Sequence, residues 1–248
     1  MILRCDNLSM SFDGTRALAD LTVEFPENGI VAVIGPNGAG KTTLLNVLTG
    51  FLAPQSGRFS LGERELTGLA PHKIARLGIA RTFQDLRLIS QVSVLENVLL
   101  AHPNQKGERL LPALLRFGVA AEEKLNHAEA MRWLNFVGLA GVAGQLAGEL
   151  SYGQQKLLTL ACCLATEAKI LLLDEPVAGV HPEMVQKILG LLSELRDQGK
   201  LVVFIEHDIA AVRQIADQVI VMDEGKIIAQ GKPAEVLERP EIIEAYVA

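Results

Sequence analysis

Two short stretches carry residues whose types and spacing can do chemistry. Gly35-Pro36-Asn37-Gly38-Ala39-Gly40-Lys41-Thr42-Thr43 follows directly on the apolar run Gly29 to Ile34. The spacing G-x-x-x-x-G-K-T leaves backbone N–H groups free to converge on phosphate oxygens, because Gly35, Gly38 and Gly40 permit turns that a β-carbon would obstruct. In such a loop Lys41 reaches the β- and γ-phosphates of a nucleoside triphosphate, and the Thr42 hydroxyl takes a place on Mg²⁺. The second stretch, Ile170-Leu171-Leu172-Leu173-Asp174-Glu175, ends an apolar strand with two adjacent carboxylates. Ligands of open α/β sheets lie at the carboxyl ends of strands, which puts both carboxylates near the cradle. Asp174 is expected to hold Mg²⁺ through water as the acidic partner of Thr42, and Glu175 to polarise an attacking water as general base.

The flanking patterns predict the elements that position these groups. Ile2 to Leu8 and Leu21 to Phe25 read as strands turning through Asp13-Gly14, a small antiparallel unit. A strand over Ile30 to Ile34, the loop and a helix from Thr42 to Leu48 follow, stopped by Gly50 and Pro54. From Asp85 to Glu149 strand-like runs vanish and helices are predicted over Val92 to Ala101 and Ala120 to Val137, the second with Leu125, Ala128, Met131, Leu134 and Val137 on one face. After Ser151 the winding is helix, strand (Ile170 to Asp174), helix (Pro182 to Gln198), strand (Leu201 to Glu206) and helix (Ile209 to Ala216). A hairpin of Val219 to Met222 and Lys226 to Ala229 comes next. The class is α/β: a P-loop NTPase core (residues 1–84 and 156–248) with a small antiparallel β subdomain and an inserted α-helical subdomain (residues 85–155).

Composition narrows the partners. A net charge of −6 and an aromatic content of 4% argue against a nucleic-acid grip. Mean hydropathy is high, at +0.27, yet no apolar run approaches the ~18 residues of a membrane span, so the apolar surface belongs to a core or an interface. No basic segment followed by an apolar stretch opens the sequence, so no secretory signal is expected. Cys5, Cys162 and Cys163 lack the spacing of a zinc site or a disulfide framework and read as small buried apolar residues in a reducing compartment. His72, His102 and His127 form no ligand-like constellation.

Leu150-Ser151-Tyr152-Gly153-Gln154-Gln155, at the start of a helix, offers an anion a hydroxyl and N–H groups. In the order phosphate loop, Gln84, L-S-x-G-Q and L-L-L-D-E, the chain resembles the ATP-binding cassette of ABC transporters over essentially its whole length. The resemblance implies a head-to-tail pair of cassettes enclosing two ATPs, with Ser151, Tyr152, Gly153 and Gln154 contacting nucleotide held by the opposite subunit's loop. It also implies that Gln84 links Mg²⁺ or the attacking water to a permease, that His207 contacts the γ-phosphate, and that Phe12 stacks on adenine. His181 stands where the family usually has Asp, a departure at a cross-dimer contact.

Ala80-Arg81-Thr82-Phe83-Gln84, the run Val92 to Val98, Tyr152 within the signature, and the tail Pro240 to Tyr246 resemble the LivG branch, which serves bacterial importers of branched-chain amino acids; close relatives import urea or short amides. Leu157 and Thr159 depart from it, standing where charged residues are frequent. The implied partners are membrane permeases, a second identical or paralogous cassette, and a periplasmic or extracellular solute-binding protein. The implied location is the cytoplasmic face of the inner membrane. An exporter cassette for lipopolysaccharide or a soluble ABC ATPase remains as an alternative, although the long coiled-coil insertion or second cassette usual in the soluble proteins is absent. No N-K-x-D guanine-reading motif appears.

Overall fold

Register between parallel strands decides where the chemistry lies. The computed structural model describes residues 1–82, 86–103, 119–240 and 242. In chain order the strands are β1 (Leu3–Phe12), β2 (Thr15–Phe25), β3 (Gly29–Ile34), β4 (Ser56–Leu61), β5 (Arg64–Glu65), β6 (Ile79–Arg81), β7 (Ile170–Asp174), β8 (Leu201–Ile205), β9 (Gln218–Asp223) and β10 (Lys226–Gly231). The larger sheet has the order β10-β9-β3-β8-β7-β6 and is parallel except at β10, which returns antiparallel to β9. The smaller sheet, β2-β1-β4-β5, is antiparallel. Val33 pairs with Ile205 and Asp174 also pairs with Ile205, so β3, β7 and β8 end level. The phosphate loop, Glu175 and the Glu206-His207 step therefore all leave the sheet at the same edge.

The continuous apolar runs in the sequence have a simple cause: the central strands are covered on both faces. Ile30, Ala32 and Ile34 of β3, with Val202 and Phe204 of β8, pack into the cluster that includes the helical segments. Val31, Val33, Leu201, Val203 and Ile205 face the other way, toward the helix Lys41–Leu48 and the small sheet. That helix is held between two sheets, and Leu44, Leu45, Val47 and Leu48 are all buried completely. Its polar residues Lys41, Thr42, Thr43 and Asn46 leave the apolar ones on the side that meets the sheets.

Three expectations change. The interval between Phe51 and Arg81, left without elements by sequence pattern, contains β4, β5, the short helix Pro71–Ala75 and β6. Short strands rich in Gly, Ser and charged residues give little periodic signal. The helix expected from Val92 begins at Val94, because Ser93 caps it: Glu96 N–H donates to the Ser93 hydroxyl at 3.1 Å, and Ser93 N–H donates to the Glu96 carboxylate at 2.8 Å. The helix Val119–Val137 is present, but its buried face is Ala130, Trp133, Leu134 and Val137, while Leu125 and Ala128 are exposed. Packing against the helices Val94–Leu100 and Tyr152–Ala165 selects that face over the one drawn through Leu125.

Phe204→Ala removes a fully buried ring from a central strand and is expected to cost ~3–5 kcal/mol. Urea unfolding followed by circular dichroism measures it; a loss below ~1 kcal/mol would mean that this strand does not hold the core.

Candidate functional site

The phosphate loop is shaped by two close backbone approaches. A β-carbon on Gly35, at φ +148°, would sit 2.0 Å from the Met222 carbonyl oxygen of β9; one on Gly40, at φ +97°, would sit 2.1 Å from the Ala17 carbonyl oxygen of β2. Only glycine permits both the contact and the backbone angle. The β9–β10 turn reinforces the fit, since Gly225 N–H donates to the Ala39 carbonyl at 3.1 Å and the Gly225 carbonyl accepts from Ala19 N–H at 2.9 Å. Around this loop lies a cavity of about 280 Å³, lined by Ala17, Asn37 to Thr43, Ile205, Glu175 and His207.

Lys41 is almost wholly buried, and its ammonium donates to the carbonyl oxygens of Gly35 at 2.7 Å and Pro36 at 2.8 Å. Burial lowers its pKa from the ordinary lysine value, and the nearby Glu175 and Asp174 carboxylates oppose that shift. Neutral carbonyls are weaker acceptors for an ammonium than phosphate oxygens are, so this lysine is poised to exchange partners. Thr42, the second residue of the helix Lys41–Leu48, is exposed.

The two carboxylates occupy different environments. Asp174, buried at the end of β7, receives Arg81 Nη2 at 2.9 Å, and its own N–H donates to the Thr82 hydroxyl at 3.1 Å. Glu175 turns out of the sheet at φ +50°, a left-handed conformation that L side chains seldom adopt and that clusters at functional sites. Its N–H donates to the Ile205 carbonyl at 3.0 Å, and its carboxylate lies 3.3 Å from His207 Nε2. Lys156, one turn into the helix Tyr152–Ala165, donates to the Glu175 carbonyl oxygen. Its pKa is lowered by burial, against the pull of Glu206, Glu175 and Asp174.

Glu206 is buried between these elements. One carboxylate oxygen accepts from Val177 N–H at 2.8 Å and the other from His207 N–H at 3.2 Å, joining the segment after Glu175 to the end of β8. Desolvation raises its pKa above the ordinary range despite those donors. Asp208 caps the next helix, accepting from Ala210 N–H at 2.9 Å and Ala211 N–H at 3.2 Å, and so fixes the chain on the far side of His207. Sequence reasoning missed Arg81, Lys156 and Glu206. Their shared signal was a charge at the end of an apolar run or on the buried side of a helix, where a cation or carboxylate needs a partner.

The cavity brings together the loop residues, Glu175 and His207. Ser151, Tyr152, Gly153 and Gln154 do not line it. They begin the helix Tyr152–Ala165 in a capping box: Gln154 N–H donates to the Ser151 hydroxyl at 3.4 Å, and Ser151 N–H donates to the Gln154 side chain at 2.9 Å. One N–H expected to await an anion is thus already engaged. Phe12 is exposed at the end of β1, outside the cavity lining. Gln84 lies outside the described residues, as do Phe83 and residues 243–246 of the tail. His181 is exposed before Pro182 and makes no capping hydrogen bond.

Cys5 and Cys163 are buried and Cys162 partly so; burial pushes the Cys162 thiol up to about 12 and raises the other two, which keeps thiolate chemistry out of reach near neutral pH. His102 is buried, with Nδ1 4.0 Å from Glu129.

The family model described as ABC transporter matches residues 18–178, a span that runs from β2 through the phosphate loop to the segment beyond Glu175. The chain belongs to the ABC transporter family. Across 99% of its length the cassette is 40% identical to the high-affinity branched-chain amino acid transport ATP-binding protein LivG of Salmonella typhimurium, covering 97% of that protein. Its fold matches the ADP conformation of MJ1267, an ATP-binding cassette of an ABC transporter, with a TM-score of 0.86 and 33% identity over 100% of this chain and 98% of the other. The dimeric structure of MJ0796, a bacterial ABC transporter cassette, aligns at a TM-score of 0.79 and 25% identity over 93% of this chain and 98% of the other.

Gly40→Ala places a methyl group against the Ala17 carbonyl in a conformation that alanine resists. The expected result is loss of nucleotide binding by at least ~10-fold in equilibrium titration, with the β2 contact displaced. Wild-type affinity in the variant would show that the loop does not depend on that approach.

Proposed function

We propose that this cassette is the ATP-hydrolysing subunit of a membrane importer for branched-chain amino acids, working as a closed pair with a second cassette. The observation that carries the reading is the meeting of the phosphate loop, Glu175 and His207 in one cavity at the carboxyl ends of parallel strands. The high identity to a branched-chain amino acid transport protein along nearly the whole chain supports the substrate class.

In this reading the triphosphate enters the cavity and Lys41 leaves the Gly35 and Pro36 carbonyls for phosphate oxygens. Each hydrogen bond to a charged oxygen contributes ~1.5–3 kcal/mol, whereas the helix dipole adds ~0.3–1 kcal/mol, so direct contacts dominate. Thr42 and Asp174 present hard oxygen donors suited to Mg²⁺, which when bound neutralises phosphate charge. Glu175 takes a proton from the attacking water, and His207, already beside its carboxylate, reaches the γ-phosphate. Gln84 joins this centre to the permease, and the exposed Phe12 ring is available to adenine.

Ser151, Tyr152, Gly153 and Gln154 stand outside the chain's own cavity, and Ser151 and Tyr152 are exposed. Both facts favour action on nucleotide held by another cassette, as does the dimeric assembly of the MJ0796 relative. A groove of about 440 Å³ between the nucleotide core and the helical segments is rimmed by exposed Phe51, Ile89 and Leu100 and floored in part by Cys162. An apolar segment of a permease is its occupant, because a transport cassette needs a membrane partner and no helix among the described residues is long and apolar enough to cross a membrane. The cassette then sits at the cytoplasmic face of the inner membrane. The solute, delivered by a binding protein, does not touch it.

In vesicles containing the cassette and its permeases, ATP-dependent uptake of leucine, isoleucine or valine is expected. Glu175→Gln should lower hydrolysis ~10²–10⁴-fold and trap an ATP-bound dimer visible by size-exclusion chromatography with Mg-ATP. Uptake of urea or amides in place of amino acids would reject the substrate assignment; a persistent monomer at saturating nucleotide would reject the closed pair.

A further inference from the structure

Arg81 is not needed by the roles assigned so far, yet its guanidinium is buried beside the site. Its side chain and that of Asp174 are 4% and 5% exposed, with Arg81 Nη2 2.9 Å from Asp174 Oδ2. On the other side, Nη1 donates to Asn46 Oδ1 at 2.6 Å and lies 3.5 Å from the Thr49 hydroxyl. Asn46 follows Thr42 by one helical turn, so the two share a face of the helix that begins at the phosphate loop. The guanidinium thus spans from the helix that carries Thr42 to the strand end that carries Asp174.

A planar cation bound to a carboxylate compensates that oxygen's charge in the place a metal would take. Two cations drawn to one buried carboxylate oppose each other strongly where water cannot screen them. We propose that Arg81 is a positioning residue that competes with Mg²⁺ for the Asp174 carboxylate and so sets the Mg²⁺ concentration at which nucleotide is held productively. In the nucleotide-free cassette it keeps Asp174 compensated; when the metal enters, Asp174 turns part of its charge from the guanidinium, and Asn46 retains the arginine nearby. The inference rests on the nucleotide-site reading above.

The test is binding of a fluorescent ATP analogue to the full-length cassette, titrated with Mg²⁺ and repeated in EDTA, with thermal unfolding of each nucleotide-free variant as a control. Arg81→Met and Arg81→Gln remove the charge, and glutamine keeps a donor for Asp174 if methionine prevents folding. Both are expected to lower the half-saturating Mg²⁺ concentration about tenfold while leaving affinity in EDTA within about twofold of wild type. Arg81→Lys, which keeps the charge, should stay near the wild-type Mg²⁺ requirement. A residue that only braced the fold would change the melting temperature without this split between neutral and charged replacements. An unchanged or raised Mg²⁺ requirement in the neutral variants overturns the competition while the site reading stands. Binding by wild type that is indifferent to Mg²⁺ overturns the site reading itself.

Discussion

In this cassette the parallel strands β3, β7 and β8 end level with one another, and the chemistry follows from that alignment. A shift of one residue in any pairing would exchange the two faces of a strand that is buried on both sides, at large cost to packing. The phosphate loop, Glu175 and His207 reach a common cavity because the hydrophobic core leaves their strands no other register. Packing therefore does work that local propensity cannot: it places a glycine loop, a carboxylate and an imidazole from three distant parts of the sequence within one small volume.

The same core imposes an electrostatic problem, since Lys41, Asp174, Arg81 and Glu206 are withdrawn from water. Each is met by a specific partner: backbone carbonyls for Lys41, the Arg81 guanidinium for Asp174, and two backbone N–H groups for Glu206. Breaking one member of such a pair leaves an uncompensated charge, which is far more costly than replacing both with apolar groups. These links also tie separate elements together. Lys156 connects the signature helix to the Glu175 backbone, and Glu206 connects the segment after Glu175 to the residue beside His207.

Much of the site was legible because its residues carry fixed geometric demands. Gly35 and Gly40 announce positive φ and close approach, and Asp174-Glu175 after four apolar residues announces a strand end at a ligand site. The central strands β3, β7 and β8 were readable from their unbroken apolar runs, whereas β6 at the sheet edge was not. The small sheet was only partly readable: β1 continues to Phe12 through irregular pairing with β2, and β4 opens on exposed Ser56, Gly57 and Arg58 and alternates only over Phe59 to Leu61. The buried face of the helix Val119–Val137 was half legible: Leu134 and Val137 lie on it and Met131 packs against it as expected, but Ala130 and Trp133 were missed because several apolar stripes compete in that sequence and only its neighbours choose among them. Arg81 and Glu206 escaped because a charge beside an apolar run looks like a surface boundary until its partner, 93 residues away for Arg81 and 29 for Glu206, is brought to it by the fold.

Ser151, Tyr152, Gly153 and Gln154 stand outside the cavity around the phosphate loop of their own chain, and the proposed pair brings them to the loop of a second cassette. Mixing separately inactivated chains tests this most directly. Lys41→Ala and Ser151→Ala cassettes, each with strongly reduced hydrolysis alone, should regain ATPase activity when combined, because mixed pairs contain one site with both an intact Lys41 and an intact Ser151. Wild-type turnover by Ser151→Ala alone, with no gain on mixing, would contradict a site shared between two chains.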